Sequence, residues 1–259
     1  MDLLEHNRKA WNRESSQGGQ WSIPVSEGTI SKAREGNWEV ILTPLRAVPK
    51  AWFGDLQGKN VLCLASGGGQ QAPVLAAAGA RVVSFDLSDV QLEKDRMVAE
   101  REKLDLVCIR GDMADLSEFT SESFDLIFHA VSNVFVPDVE IVWKECYRVL
   151  KSGGELLAGF MNPSFFLFDH DQSERTGKIE VKYKLPYAEP ASLDEAGLQK
   201  LEKSERAFEF GHTLESQIGG QLNAGFTISG FYEDYWTDEI PLNSFSPSYI
   251  ATKSTKTRS

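Results

Sequence analysis

The chain has 259 residues, of which 41% are hydrophobic and 25% charged, so it is long enough to bury a core and too apolar to be intrinsically disordered. Its 38 acidic and 27 basic residues give a net charge of −11, and such a surface repels a nucleic-acid backbone. The three cysteines have no CxxC spacing, which excludes a disulfide framework or a cysteine zinc site. With no apolar leader and no stretch of membrane-spanning length, we expect a cytoplasmic protein that binds neither nucleic acid nor membrane.

The first 58 residues precede any regular alternation of strands and helices. They hold four of the six tryptophans, Trp11, Trp21, Trp38 and Trp52. Because a large irregular segment of this kind is usually functional, we predict that residues 1–58 form a helical N-terminal lid.

From about residue 59, apolar runs of strand length alternate with longer amphipathic stretches, which is typical of a parallel sheet with helices between its strands. Five strands are predicted by the segments NVLCLAS, RVVSFDL, DLVCIRGDM, FDLIFHAV and ELLAGF. Ser88 and Gln91 have the spacing of a capping box and predict the start of the second helix. A later helix is predicted by four apolar residues that recur on one face, Val139, Val142, Cys146 and Val149.

Residues 162–211 interrupt this alternation, and we predict them to be a substrate-binding insertion after the fifth strand. Beyond them, LESQIGGQLNAGF predicts a helix that ends at Gly225, and FTISGFYEDYW and PSYIATK predict an antiparallel strand pair at the sheet edge. We expect the polar residues that follow to fray. The predicted fold is therefore a doubly wound, mostly parallel seven-stranded α/β sheet with an antiparallel last strand, in which residues 59–161 bind a cofactor and residues 212–259 complete the sheet.

Three glycines, Gly67, Gly68 and Gly69, follow the first predicted strand directly. A strand that ends in glycines before a helix leaves an unobstructed space beside backbone N–H groups, which suits a nucleotide-type cofactor. The spacing Gly67-x-Gly69-x-x-Ala72 also satisfies a loose dinucleotide-binding pattern. An NAD(P)-dependent oxidoreductase therefore stays open as an alternative.

Aspartates follow the next two predicted strands. Asp86 ends the second strand, where a carboxylate can accept hydrogen bonds from both hydroxyls of a ribose. Asp112 ends the third strand, where it can accept from the exocyclic amine of an adenine while Met113 covers the ring. Because the carboxyl ends of parallel strands meet at one edge of a sheet, these residues predict an adenosine site there.

The succession VLCLASGGG, VVSFDLS, IRGDMADL, FDLIFHAV and RVLKSGGELLAGF resembles the class I S-adenosylmethionine-dependent methyltransferases over residues 59–161. The resemblance implies a Rossmann-like fold, S-adenosyl-L-methionine as cofactor, and methyl transfer to a small molecule through an oxygen, nitrogen, sulfur or carbon atom. That family usually has an acidic residue and a glycine where this chain has Cys63 and Ala65. These two departures keep a second alternative open, a module that binds S-adenosylmethionine or S-adenosylhomocysteine without catalysis.

The resemblance also implies where the cofactor binds. The implied residues are Ala65, Ser66, Gly67, Gly69, Asp86, Leu87, Gln91, Asp112, Met113, His129, Ala130 and Val131. Among them, residues 65–69 would surround the methionine and ribose, Leu87 and Gln91 would lie beside the adenine, and residues 129–131 would offer backbone carbonyls to the methionine ammonium.

An acceptor that is protonated at neutral pH needs a general base. We predict His212 as this base, because it lies at the start of the last core helix directly after the insertion, and His129 as a second candidate. Asp169, His170 and Asp171 have no second cluster at ligand spacing, so we expect an exposed loop and no metal there. We expect the protein to be a monomer or a homodimer.

Overall fold

Seven strands form the central sheet of the computed structural model, which describes residues 2–236 and 240–257. They are β1 (Asn60–Leu64), β2 (Arg81–Asp86), β3 (Leu106–Arg110), β4 (Phe124–His129), β5 (Leu150–Met161), β8 (Phe226–Asp234) and β9 (Tyr249–Lys256). Two short strands, β6 (Tyr187–Ala188) and β7 (Phe210–Gly211), pair with each other apart from the sheet. The sheet order is β3-β2-β1-β4-β5-β9-β8. Because β9 alone runs antiparallel to its neighbours in this sheet, the predicted α/β sheet with an antiparallel last strand is confirmed.

Helices pack on both faces of this sheet. The α-helices of the described residues are α1 (Leu3–Ser16), α2 (Glu27–Arg34), α3 (Gln71–Ala77), α4 (Asp89–Glu102), α5 (Val139–Val149), α6 (His170–Thr176), α7 (Glu195–Ser204) and α8 (Gly220–Ala224), of which α6 and α7 lie in the insertion. Side chains alternate between the two faces along each strand, so Val61 and Cys63 of β1 join the core that includes α3, whereas Leu62 and Leu64 join the core that includes α5. None of the helices in the described residues is long and apolar enough to cross a membrane.

Local sequence signals fix where these helices begin and end. Ser88 caps α4, because its Oγ accepts a hydrogen bond from the backbone N of Gln91 at 3.1 Å. Gly225 ends α8 with a φ of 109°, a conformation that favours glycine. The predicted apolar face of α5 is buried throughout: Val139, Val142, Cys146 and Val149.

Different parts of residues 1–58 pack against different elements of the fold. α1 packs against α4, and α2 packs against α3. Further along, Val40, Leu42 and Phe53 are buried in the same core as β1, so residues around them pack as part of the sheet domain. The division of the chain into lid, core and insertion stays a prediction.

The expectation of a frayed C-terminus is wrong up to Lys256, since β9 extends to that residue. Polar side chains are tolerated there because Gln221 of α8 accepts hydrogen bonds at its Oε1 from Thr252 (3.1 Å) and Ser254 (2.6 Å), all of them buried. A satisfied buried amide therefore holds the end of the last strand in the sheet.

The insertion is folded and contains α6, β6, α7 and β7. The exposed loop expected at Asp169 is instead the start of α6, because its Oδ1 accepts from the backbone N of Gln172 at 3.0 Å. Its other oxygen pairs with Lys182 at 2.9 Å. Asp169 is therefore the N-cap of α6, a position at which aspartate is among the preferred residues.

Candidate active site

A cavity of about 1060 Å³ opens at the carboxyl edge of the sheet. α1, the loops after β1 to β4, and the insertion contribute its walls. Ten of the twelve predicted cofactor residues line it, the exceptions being Gly69 and His129. The adenosine edge predicted from successive strand ends is therefore brought together in one cavity.

The glycine turn is held by the residues around it. Gly67 N donates to Asp86 Oδ2 at 3.0 Å, Gly68 N donates to the carbonyl of Gln91 at 3.1 Å, and Gly69 N donates to Asp95 Oδ1 at 2.7 Å. At Gly68, where φ is 121°, a Cβ would lie 2.5 Å from the carbonyl oxygen of Trp21. The turn therefore needs glycine there both for its conformation and for the close approach of the N-terminal segment.

Ala65 begins this turn with a φ of 47°, a left-handed conformation that costs a residue with a Cβ about 1–2 kcal/mol. It is the position at which the related family usually has glycine. A hydrogen bond from Ala65 N to the carbonyl of Phe85, 2.7 Å long, helps to keep the turn in place. The departure at Ala65 therefore places a residue with a Cβ in a strained conformation at the start of the turn.

Asp86 lines the cavity and uses both carboxylate oxygens locally, because Oδ1 accepts from Ser88 N at 2.8 Å and Oδ2 accepts from Gly67 N at 3.0 Å. Burial raises the pKa of Asp86, and the backbone hydrogen bonds oppose this shift. Each oxygen can accept a further bond from a ligand hydroxyl.

Among the described residues, two buried polar atoms of cavity-lining side chains have no hydrogen-bond partner, Gln91 Oε1 and Ser66 Oγ. Orphaned buried oxygens are costly unless a ligand or water satisfies them. Together with the space left by the glycine turn, they fit a nucleoside cofactor that presents hydroxyl, amine and ammonium donors.

Asp95, which the motif analysis did not identify, fixes the glycine turn from below. It is fully buried on α4 and accepts from Gly69 N at 2.7 Å and from Ser84 Oγ at 2.6 Å. Burial raises its pKa to about 7. The available signal was an aspartate that recurs with the apolar residues Leu92, Val98 and Ala99 on the buried side of α4. A carboxylate from α4 thus supports the turn in a chain whose β1 carries Cys63 in place of an acidic residue.

Asp112 and Met113 line the cavity beyond β3 as predicted for an adenine site. Asp112 Oδ1 accepts from Ala114 N at 3.0 Å, which turns the chain back after the strand. The carboxylate is therefore held at the sheet edge by its own loop.

The two predicted catalytic histidines converge on Asn133 and do not line the cavity in the described residues. His129 is buried, with Nδ1 2.9 Å from the carbonyl of Leu64 and Nε2 2.6 Å from the side-chain amide of Asn133. His212, 9% exposed, donates from Nε2 to the carbonyl of Asn133 at 2.9 Å. Burial lowers the pKa of both rings. In these positions the histidines brace the loop after β4.

Aromatic side chains from the insertion and the C-terminal strands form the wall opposite the cofactor residues. Trp236 stacks between Phe165, at a centroid distance of 5.3 Å, and Tyr249, at 5.4 Å. Phe166 stacks on Tyr187 at 5.5 Å. All five side chains line the cavity, so aromatic rings form a large part of its surface at this end.

Beside this wall lies a charged cluster of Tyr187, Glu189, Arg206 and Glu209. The Arg206 guanidinium binds the buried carboxylate of Glu189 through two nitrogens, at 2.8 and 2.6 Å, and the Tyr187 hydroxyl donates to Glu189 at 2.8 Å. All four residues line the cavity. The sequence carried no local motif for them, because they come together only when β6 and β7 pair.

α1 closes the cavity from the N-terminal side with Asn7 and Trp11 among its lining residues. The Asn7 side chain donates to the carbonyl of Phe135 at 3.1 Å and accepts from Phe208 N at 2.9 Å. This one buried amide therefore ties the first helix to both the loop after β4 and the insertion.

The comparisons with known proteins agree with this geometry. The family described as a methyltransferase domain matches residues 62–158. The chain is 50% identical to the uncharacterized methyltransferase YbaJ of Bacillus subtilis over 98% of both proteins, and 36% identical over 39% of its own length to the sterol 24-C-methyltransferase of Aspergillus fumigatus, covering 28% of that protein.

Among solved structures, an S-adenosylmethionine-dependent methyltransferase from Mesorhizobium loti shares the fold. Its TM-score is 0.61 at 16% identity, over 80% of this chain and 94% of that one. The fold, the cavity at the carboxyl edge and the full-length relative lead to one conclusion. The chain belongs to the class I S-adenosylmethionine-dependent methyltransferases.

Proposed function

We propose that the protein transfers a methyl group from S-adenosylmethionine to a small organic molecule held against the aromatic wall. The observation that supports this is a single cavity that joins Asp86 and Asp112 to Phe165 and Tyr249. S-adenosylmethionine, when bound, supplies a methyl group on a positively charged sulfur. A site that only sensed the cofactor would have no need for the second, ring-lined half of the cavity.

For the cofactor half, we assign the roles that the sequence predicted. Asp86 accepts from the ribose hydroxyls, Asp112 accepts from the adenine amine, and Met113 covers the ring. Gln91 Oε1, buried without a partner, accepts a further donor of the cofactor. Of residues 129–131, Ala130 and Val131 line the cavity and would offer backbone carbonyls to the methionine ammonium at the end of β4, whereas His129 does not line it.

The contribution of the chain to rate is positioning and water exclusion. Holding two reactants in line is worth up to about 7–11 kcal/mol in favourable intramolecular models. The residues that would achieve this are Trp11 and Asn7 of α1, which close one side, and the folded insertion, which closes the other. We assign acceptor choice to residues 162–211, because they supply about half of the residues that line the cavity outside the predicted cofactor set.

The class of acceptor follows from surface charge and cavity chemistry. A net charge of −11 disfavours nucleic acid as a substrate, and the ring-lined space suits a small molecule with an apolar body. By its name, the Aspergillus relative acts on a sterol. We propose a cytoplasmic enzyme, monomeric or homodimeric, with a small-molecule acceptor.

The hypothesis that His212 takes the acceptor's proton stays a hypothesis. Its Nε2 is engaged by the carbonyl of Asn133 at 2.9 Å, and its side chain is almost fully buried. These contacts support a positioning role for His212, and equally for His129, in holding the loop that carries Ser132 and Phe135 to the cavity.

Methyl transfer is tested with S-adenosylmethionine that carries a labelled methyl group, incubated with the protein and a fraction of small molecules from cells. We expect label in an organic small molecule and S-adenosylhomocysteine as the second product. Label that appears only in added nucleic acid would contradict the proposed acceptor class, and so would a complete lack of transfer by protein that binds the cofactor.

The cofactor assignment is tested with Asp86→Ala. Loss of hydrogen bonds to a charged acceptor should weaken S-adenosylmethionine binding by about 1.5–3 kcal/mol in calorimetry. Asp105→Ala removes an exposed carboxylate outside the cavity and should bind like the wild type. A folded Asp86→Ala protein with unchanged affinity would eliminate the ribose assignment.

A further inference from the structure

Two carboxylates of the cavity, Glu174 and Glu209, accept no hydrogen bond at their side-chain oxygens from the described residues. Glu174 is exposed, whereas Glu209 is partly buried, with 33% of its side chain exposed. The one ionic contact of Glu209 among the described residues is long, 3.5 Å to Arg206 Nη1. By contrast, both oxygens of Asp86 and of Glu189 are engaged. Glu209 therefore keeps its capacity to accept a bond from a ligand.

The surrounding cluster fixes Glu209 without neutralising it. Arg206 gives both of its terminal nitrogens to Glu189 at 2.8 and 2.6 Å, in the bidentate geometry that makes the strongest ion pairs. The backbone N of Glu209 also donates to Glu189, at 3.0 Å. Glu189 thus forms the close ion pair with Arg206, and its hydrogen bond to the backbone N of Glu209 holds that backbone in place.

Glu209 lies on a chain segment that contacts the loop after β4, where we place the methionine group of the cofactor. It directly precedes β7, whose Gly211 packs against Phe166, and the next residue, His212, binds the loop after β4 through Asn133. That loop follows the strand end at which we place the methionine group. Glu209 therefore lies on the segment that joins the acceptor wall to the carboxyl edge of the sheet.

The cavity around Glu209 favours a cation. Aromatic ring faces attract positive charge, and Tyr249 and Trp236 belong to the same wall. Among the described residues, nine carboxylates line the cavity: Asp86, Asp112, Asp138, Asp169, Asp171, Glu174, Glu189, Asp194 and Glu209. Four basic side chains from the same part of the chain line it, Arg175, Lys182, Lys200 and Arg206, and the last three are paired with carboxylates.

Burial raises the pKa of Glu209 to about 7, with Arg206 opposing the shift and Glu189 adding to it. A carboxylate with a pKa near the working pH is suited to take a proton, because both of its protonation states are accessible.

We propose that Glu209 binds the methyl acceptor as an ammonium and takes its proton, so that the substrate is an amine on an apolar body. This inference rests on the proposed function and deepens it. A phenolic acceptor suits the site less, because nearby carboxylates oppose formation of a phenolate.

The proposed reaction is the methylation of an amine nitrogen. An ammonium proton passes to the Glu209 carboxylate, which leaves a lone pair on nitrogen. A nitrogen–carbon bond forms to the methyl group as the carbon–sulfur bond breaks with its electron pair staying on sulfur. The products are an N-methylated ammonium and S-adenosylhomocysteine, and Glu209 gives its proton to water.

The test measures ligand binding to the protein saturated with S-adenosylhomocysteine, using benzylamine, benzyl alcohol and benzoate as probes. At pH 8 we expect benzylamine to bind with a Kd of about 1 mM or below, which is reasonable for a fragment of this size. It should bind at least tenfold tighter than the alcohol or the acid. In Glu209→Gln, benzylamine should lose this advantage while S-adenosylhomocysteine affinity stays unchanged.

Glu202→Gln is the matched control, since Glu202 is exposed on α7 outside the cavity, and it should behave like the wild type. If Glu209→Gln fails to fold, the wild type still decides the matter by pH. Glu209, facing Arg206, Glu189 and Tyr249, should be mostly protonated at pH 6, so benzylamine affinity should fall roughly tenfold from pH 8 while that of benzyl alcohol stays constant.

The proposal is overturned if benzyl alcohol or benzoate binds as tightly as benzylamine, if benzylamine shows no saturation below about 10 mM, or if its affinity is the same in Glu209→Gln. Failure of the wild type to bind S-adenosylhomocysteine would instead refute the proposed function.

Discussion

Asp95 shows how one side chain can support a cofactor turn without touching the cofactor. Both of its oxygens are occupied by Gly69 N and Ser84 Oγ, and the surrounding core penalises its charge. Asp86 raises its pKa further, whereas Arg96 lowers it. Because Gly69 N donates to this carboxylate, we expect the conformation of the glycine turn to depend on the protonation state of Asp95.

This coupling predicts a pH-dependent stability. Burial raises the folded-state pKa of Asp95 to about 7, above its value in the unfolded chain, so the folded state binds the proton more tightly and stability falls as pH rises toward 7. Between pH 5 and pH 8, the wild type should lose about 2–3 kcal/mol of unfolding free energy relative to Asp95→Asn.

Urea unfolding of both proteins at the two pH values measures this difference. Asp105→Asn, which removes an exposed carboxylate, should keep the pH dependence of the wild type. Parallel curves for the wild type and Asp95→Asn would show that Asp95 titrates normally in the folded protein.

Glu209 and His212 show that residue type alone does not indicate which side chain acts as a base. Histidine is often assigned as a general base because its ordinary pKa is near neutrality. Nε2 of His212, however, donates to the carbonyl of Asn133. Glu209, three residues earlier, has a raised pKa, lines the cavity and contacts Arg206 only at 3.5 Å. Environment, more than residue type, separates the two.

Amide side chains tie several elements of the fold together. Asn7 joins α1 to the insertion, Asn12 Oδ1 accepts from the cap residue Ser88 at 2.7 Å, and Gln221 joins α8 to β9. Each amide binds two groups outside its own helix. The mutual placement of helix, strand and insertion therefore depends on a few polar contacts as well as on apolar packing.

Gln221→Leu should destabilise the protein by about 2–5 kcal/mol, because the buried hydroxyls of Thr252 and Ser254 would lose their acceptor. Gln199→Leu, at an exposed position on α7, is the control and should change stability little. The measurement is the midpoint and slope of urea unfolding. A loss below about 0.5 kcal/mol would mean that the hydroxyls find other partners.

At the scale of the whole molecule, the cavity at the carboxyl edge joins the predicted cofactor residues to the aromatic wall, and both α1 and the insertion contribute to its lining. A cofactor that binds only the folded form stabilises the whole protein by mass action. At a hundred times its Kd, S-adenosylhomocysteine should add about 2.7 kcal/mol of stability, which corresponds to a rise in Tm of about 5–10 °C for a chain of this size.

NAD and NADP at the same concentrations should leave Tm unchanged, since two aspartates hold the adenosine half and no pyrophosphate site is evident from the described residues. Differential scanning calorimetry makes the comparison. A larger shift with NAD or NADP than with S-adenosylhomocysteine would contradict the cofactor assignment.

Much of the fold and of the cofactor half could be predicted from sequence, because the signals are local. Strand runs, the three glycines and the aspartates at strand ends occupy fixed places in a repeating pattern, and parallel topology brings the strand ends to one edge. Asp86, Asp112 and Met113 reach the cavity for this reason. The antiparallel last strand is likewise readable from its turn-bounded apolar run.

Long-range pairing determined the rest. Asp95 meets Gly69 across 26 residues, Glu189 meets Arg206 through the pairing of β6 with β7, and Thr252 meets Gln221 across 31 residues. Periodicity says nothing about such pairs, because each depends on how separate elements pack. Whether a side chain titrates, braces a loop or faces a ligand is a property of its packed surroundings, through desolvation and available hydrogen bonds.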